Sequence, residues 1–368
     1  MADTGSVRLS VPGKVILMGE HAAVYGRPAV VAAVDLRLEV EASLGERIRP
    51  LGRGRVTLDL PDIDVLEEST WQEVEAFTDD ARRRWRAYEA GCEPFRSDRE
   101  HASLVRIAVG EALASLTPAA SARLRERSLD LRLRSAIPVG AGLGSSAAAA
   151  VGVVAAVRAV SGGFDPAEQE RVVIENVALE VERRQHGFPS GIDTGTVLRG
   201  GVVLVRRTGG AQRFDDLPRP EWLRLEIGIV DSGAPDQTTG AVVTTVRRRY
   251  EEEPEQVGAV LDRIGEAVES FRVAVVTDRL SDASAAVAAA HRALVDLGVV
   301  PPAVAERIAR VEAAGGVAKI SGAGALDGES AGALVCMLGG RDAGTVEGLS
   351  DLVAVDAPIG GDGLRFED

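Results

Sequence analysis

Three glycines within five residues, Gly140, Gly142 and Gly144, run directly into Ser145–Ser146 and the alanines Ala147 to Ala150. Glycines let a backbone turn sharply and approach a ligand closely, and serine is a favoured helix cap. The unpaired N–H groups at a helix start together carry about half a positive charge, so the loop Gly140–Ala141–Gly142–Leu143–Gly144–Ser145–Ser146 is built to cradle an anion, phosphate above all. It lacks the Gly-Lys-Ser/Thr ending of the Walker loop. A plain capped helix behind a glycine turn is the structural alternative.

A second group of candidates lies near the start of the chain. Lys14 and Lys319 are the only lysines in a chain whose other basic residues are arginines. Lys14 precedes the apolar run Val15–Ile16–Leu17–Met18, which opens into Gly19–Glu20–His21. A Glu-His pair close to a lone lysine reads as a substrate site, with a solvated polar turn as the bland alternative.

The elements that must position these groups follow from periodicity. Val7–Val11 alternates as a strand and Pro12–Gly13 is expected to break it; Val30 to Leu44 and Val56–Leu60 are further strands. Residues 62–100 are crowded with charge around Trp71, Phe77, Trp85 and Tyr88, and Asp79–Trp85 is expected to be helical with a solvated charged face; contact with a nucleotide base is the minority alternative. Ser103–Leu116 has helical spacing, and Leu129–Arg134 alternates with period two and feeds straight into the glycine loop. Helices are expected from Ser146 to Val160, ended by Gly162–Gly163, and from Pro166 to Arg184; a loop follows over His186–Gly195, then the strand Val202–Val205. After a polar boundary at 206–221 come a strand at Leu225–Val230, helices at Ala241–Glu252, Val257–Val275, Asp282–Leu297 and Pro302–Ala314, and a buried strand at Ala331–Leu338. A final strand is expected beyond Val353.

The glycine stretch Pro138–Val139–Gly140–Ala141–Gly142–Leu143–Gly144–Ser145–Ser146–Ala147 resembles the central phosphate-binding motif of the GHMP kinases. Pro12 to Gly26 is similar to the first motif of the mevalonate kinases within that superfamily, where phosphomevalonate kinases usually carry tyrosine at the position of His21. Glu182 to Asp193 resembles the mevalonate kinase segment that holds a magnesium-binding glutamate and the catalytic aspartate, and Asp231 to Thr239 resembles the strand and loop that present a threonine, here Thr238. Gly315 to Gly324 matches the opening of the third motif, but Ala325–Leu326–Asp327–Gly328–Glu329–Ser330 stands where further glycines are expected.

The resemblance implies an α+β, two-domain fold: a ribosomal-protein-S5-like N-terminal ATP-binding domain over 1–215 and a ferredoxin-like C-terminal domain over 216–368. It implies transfer of the ATP γ-phosphate to the primary hydroxyl of mevalonate. In that scheme the loop from Gly140 to Ser146 holds the nucleotide phosphates, and Ser146 and Glu182 hold Mg2+, a hard ion that prefers oxygen. Asp193 takes the proton of the attacking alcohol, Lys14 stabilises the alkoxide, and Glu20, His21 and Thr238 orient the acceptor. A phosphomevalonate or other small-alcohol kinase is the runner-up. A catalytically silent binding protein of the same fold is the alternative from a different class.

Composition agrees with a globular protein and narrows its partners. Fifty-six acidic against forty-two basic residues give a formal charge of −14, which argues against nucleic acid or a membrane surface as the main partner. Cys92 and Cys336 are the only cysteines, so no disulfide framework or cysteine zinc site is expected. Neither a signal segment nor a membrane span is expected, and the cysteine usage reads as cytoplasmic. The expected partner is a small-molecule substrate, with a homodimer left open.

Overall fold

The structure is a computed structural model that describes residues 5–47, 54–96, 98, 102–162, 168–187, 189–209 and 211–367. The expected helix start at Pro166, the helix-ending Gly163, Phe188 and the N-terminal Met1 to Thr4 lie outside the described residues.

The first sheet is built from β1 (Ser6–Met18), β2 (Ala29–Arg47), β3 (Arg55–Leu60), β4 (Val65–Thr70), β5 (Arg127–Ser135), β6 (Val202–Thr208) and β7 (Ala211–Asp216). β5 displays the logic of a half-buried strand: Leu129, Leu131 and Leu133 face inward, while Asp130, Arg132 and Arg134 face out. β2 is long enough to pair with β1 along its length, with β5 over its second half and with β6 over its first turn of residues. β3 lies parallel to β5 and antiparallel to β4, a strand hidden from sequence reading by its charge. Pro12–Gly13 does not end β1. It is a register shift inside one continuous strand, and a Cβ on Gly13 would lie 2.9 Å from the Leu143 carbonyl oxygen, so the irregularity lets the glycine loop touch the sheet.

Six helices cover this sheet and its rim: α1 (Trp71–Glu89), α2 (Ser103–Ala114), α3 (Pro118–Arg125), α4 (Ser145–Val160), α5 (Glu168–His186) and α6 (Ile192–Arg199). α4 is apolar on every side and buried from Ala147 to Arg158, because it lies between the sheet and α2 and α5. Gly152 allows that closeness, since a Cβ there would meet Val40 Cγ2 at 2.9 Å. α1 starts with a capping box between Thr70 and Glu73 and buries Trp71, Val74, Thr78, Ala81 and Trp85 along one face. Arg82 and Arg84 are engaged by Glu111 and Asp98, while Arg83 and its partner Asp80 face solvent.

The chain then passes through α7 (Glu221–Leu225) into β8 (Ile227–Asp231), followed by α8 (Thr239–Glu252), α9 (Pro254–Val276), α10 (Leu280–Leu297) and α11 (Pro302–Ala313). β9 (Val317–Ile320), β10 (Ala333–Met337) and β11 (Val353–Val355) join β8 in an antiparallel sheet of order β11-β8-β10-β9, the ferredoxin-like order. The tail, expected within 216–368, returns to the first sheet: β12 (Arg365–Glu367) pairs with β1, and bridges join Val34 to Ile359 and Gly200 to Asp362. We propose that the domain boundary falls near residue 216, between β7 and β8, with this tail counted in the first domain.

Candidate functional site

Gly140, Gly142 and Gly144 all have positive φ, at 83°, 77° and 82°. This left-handed backbone, where only glycine is unstrained, leads directly into the first turn of α4. The cap of α4 is Gly144 itself, without a side-chain hydrogen bond. Ser145 and Ser146 therefore sit in the first turn and not at the expected cap position, which frees the Ser146 hydroxyl for other work. The loop is fixed from two sides: the Lys14 N–H donates to the Leu143 carbonyl at 2.8 Å, and the Ala333 N–H donates to the Ala141 carbonyl at 3.2 Å. Those bonds tie it to β1 and to the second sheet at once.

Lys14 projects from β1 with its stem against Gly144, where a Cβ would lie 2.7 Å from Lys14 Cγ. Its Nζ meets Asp193 Oδ2 at 3.1 Å, with the lysine side chain 5% exposed and the aspartate 38% exposed. The pair is thus closed behind the lysine and open in front of the carboxylate. Asp193 does not lie in a loop as the sequence suggests. Gly191, at φ 81°, caps α6, and Asp193 is in its first turn, where the helix N-terminus favours negative charge.

Glu182 comes from α5 and is buried. Burial first, then the neighbouring Asp193 charge, pushes its carboxyl up to about 7, against opposing help from the Ser146 hydroxyl beside it and from Lys14. Its Oε1 is buried without a hydrogen-bond partner. His186 Nε2 is 3.9 Å from that oxygen, too far to satisfy it. An orphaned buried carboxylate oxygen, with the Ser146 hydroxyl bonded to the same carboxyl group, is a donor set suited to a hard cation. Among the described residues no three His, Cys, Asp or Glu side chains cluster to hold a metal by themselves. A bound ion would have to complete its shell with phosphate oxygens and water, as magnesium commonly does.

Glu20 is placed differently from the expectation that it touches the acceptor. The Glu20 side chain is wholly buried and ion-paired with Lys319, also wholly buried, whose Nζ in addition donates to the Ile320 carbonyl at 2.8 Å. Burial pushes the Glu20 carboxyl above its ordinary value and Lys319 below its own, each opposed by the other's charge. Glu20 thus joins the first sheet's loop to β9 and has no surface to offer a ligand. His21 adopts a left-handed φ of 59° and its Nε2 lies 2.9 Å from the Ala323 carbonyl. A carbonyl only accepts, so Nε2 carries the proton, and burial keeps the ring neutral. Nδ1 is the one ring nitrogen left for an acceptor. Thr238 is exposed and its hydroxyl oxygen caps α8 by accepting from the Ala241 N–H at 3.3 Å, which leaves the hydroxyl proton to donate.

Ser321 escaped the sequence reading, and so did the partner of Lys319. Ser321 accepts from the Ile16 N–H and donates to the Ile16 carbonyl, both at 3.1 Å, stitching the third glycine turn to β1. Lys319 was marked only by being one of two lysines; its partner could not be read from a sequence distance of 299 residues. A 540 Å³ cavity near Gly26–Pro28 contains none of the candidate residues, and two of its three arginines, Arg27 and Arg206, are paired with Asp262 and Glu269.

Residues 107–201, from α2 through α6, match the family description "GHMP kinases N terminal domain". A mevalonate kinase of Thermococcus gammatolerans is 32% identical to this chain over 326 residues, covering 86% of each. The chain belongs to the GHMP kinase family. Its fold is that of solved family members. An L. major mevalonate kinase in complex with R-mevalonate superposes with a TM-score of 0.67 at 19% identity, covering 94% of each chain. A Lactococcus lactis galactokinase complexed with galactose gives 0.71 at 14% identity, covering 99% of this chain and 95% of that one. The protein is an ATP-dependent kinase of a small molecule. No helix among its described residues is long and apolar enough to cross a membrane.

Proposed function

We propose that this kinase transfers the γ-phosphate of ATP to the primary hydroxyl of mevalonate. The observation that carries the reading is the Lys14–Asp193 contact of 3.1 Å on a strand whose own backbone anchors the glycine loop, so acceptor chemistry and phosphate cradle share one support. A silent binding protein has no use for that pair. Fold alone is neutral about the acceptor, because galactokinase and mevalonate kinase superpose about equally well; the likeness in sequence to mevalonate kinases favours mevalonate.

The acceptor hydroxyl approaches the open side of Asp193, which takes its proton as the oxygen attacks the γ-phosphorus. Lys14 holds the developing alkoxide and orients Asp193. The bond from the γ-phosphorus to the β–γ bridging oxygen breaks, and ADP leaves with that oxygen. The loop N–H groups from Gly140 to Ser146 hold the phosphates in line, and Thr238 and His21 Nδ1 remain as donor and acceptor for the substrate's other polar groups. Mg2+, when bound, would be held by Glu182 and Ser146 and would neutralise charge on the phosphate oxygens.

The test is ATP consumption by the purified protein with magnesium and, in parallel, mevalonate, phosphomevalonate, homoserine or galactose. Turnover confined to mevalonate and reduced roughly 100-fold or more in Asp193→Asn is expected. Preference for another acceptor would refute the substrate, and an unimpaired Asp193→Asn would refute the base.

A further inference from the structure

The third glycine turn leaves the family pattern at Ala325–Leu326–Asp327–Gly328–Glu329–Ser330, and the structure gives this departure a job. The segment is fastened along the loop that runs from β8 to Thr238. The Ser232 N–H and hydroxyl both donate to the Gly332 carbonyl, at 3.0 and 2.7 Å, and the hydroxyl oxygen accepts from the Ala331 N–H at 2.9 Å. The Gly332 N–H returns a bond to the Gly233 carbonyl at 3.0 Å. Further along, Gly328 lies under Asp236, where a Cβ would come within 3.1 Å of its carboxylate.

The far end is closed by one side chain. Gln237, next to Thr238, accepts from the Leu326 N–H at 3.2 Å through Oε1 and donates through Nε2 to the Asp327 carboxylate. The amide's orientation is fixed by chemistry, because the peptide N–H can only donate and the carboxylate can only accept. The same turn is held to the first sheet by His21 on Ala323 and by Ser321 on Ile16. A rigid path therefore runs from the strand bearing Lys14, across the third turn, to the residue beside Thr238.

We propose that Gln237, through its clasp on Leu326 and Asp327, is a positioning residue that sets Thr238 for the acceptor and so tunes acceptor affinity. The inference rests on the reading that Thr238 faces the acceptor. The departing residues replace flexible glycine with a polar strut between the two halves of the acceptor site.

The clasp is at the surface, so its variants are expected to fold. Michaelis constants for the acceptor that the kinase turns over and for ATP would be measured for wild type, Gln237→Leu, Gln237→Glu, the exchange Gln237→Glu/Asp327→Asn, and Thr238→Val. Gln237→Leu is expected to raise the acceptor KM about tenfold, with kcat and the KM for ATP within about twofold. Gln237→Glu sets two carboxylates against each other and raises it further. In the exchange the Leu326 N–H still donates to residue 237 while the bond to residue 327 forms with its polarity reversed, which should bring the acceptor KM back close to wild type, a rescue that a general loss of stability would not yield. If Thr238→Val raises the acceptor KM and Gln237→Leu does not, the clasp is overturned while the reading of Thr238 stands. If Thr238→Val leaves it unchanged, the reading of Thr238 falls, and the inference with it.

Discussion

Replacing Glu182 by glutamine should make the protein lacking nucleotide and metal more stable while making the enzyme worse. Glu182 is 6% exposed, faces the Asp193 carboxylate, and has its carboxyl raised from the ordinary 4.5 to about 7. A group raised on folding favours the native state while protonated, so its contribution is complete below the unfolded value of 4.5 and is lost as pH rises through about 7. At about 1.4 kcal/mol per pH unit, that rise corresponds to a loss of about 3 kcal/mol by pH 8. Glutamine keeps an oxygen for the Ser146 hydroxyl and cannot ionise, so Glu182→Gln escapes the penalty. Urea unfolding in EDTA at pH 5, 6, 7 and 8 should show wild type and variant converging at the acid end. The variant should gain about 3 kcal/mol at the alkaline end. Activity with magnesium and ATP should fall in the same variant, and saturating magnesium-ATP should stabilise the wild type more than the variant. A stability difference independent of pH, or a variant less stable than wild type at pH 8, would refute the assignment of an ionised, uncompensated carboxylate at this position.

Lys319→Met should cost about 3–5 kcal/mol by leaving Glu20 buried without its partner, whereas Glu20→Gln/Lys319→Met should recover most of that loss in thermal or urea unfolding. Ser146→Ala removes the hydroxyl that holds the Glu182 carboxyl down, so the pH midpoint of the stability loss should move upward; Ser145→Ala should leave it in place. Gly144→Ala forces a side chain onto φ 82° and into the Lys14 stem at 2.7 Å. A destabilisation of about 1–2 kcal/mol together with a lower kcat is expected, because Lys14 is pushed from Asp193; full activity in that variant would count against the lysine's role.

Much of this site was legible because its signals are local. A glycine-serine-alanine run dictates a left-handed loop and a buried helix wherever it falls in a fold, and Leu129–Arg134 dictates a strand leading into it. Asp79, Asp80, Arg82 and Arg83 form pairs three residues apart on a partly solvated face of α1, in keeping with the solvated face its spacing suggests. What stayed hidden depended on distant partners. Pro12–Gly13 looks like a strand break until Leu143 is seen to press against it, and β4 looks like a solvated segment until β3 pairs with it. Asp193 reads as a loop residue because the glycine that caps α6 is indistinguishable in sequence from one that merely turns the chain.

Sequence by itself thus determined which residue types could bind phosphate, bear a metal and move a proton, since those capacities reside in the side chains and their nearest neighbours. Tertiary structure decided which of them stay open to solvent. Glu20 and Asp193 are both carboxylates near a lysine. Burial against Lys319 turns the first into a fastening between the two sheets, while the open side of the Lys14 contact leaves the second available to a substrate. Exposure and pairing are set by chain segments up to about 300 residues away, and nothing in the local pattern encodes them.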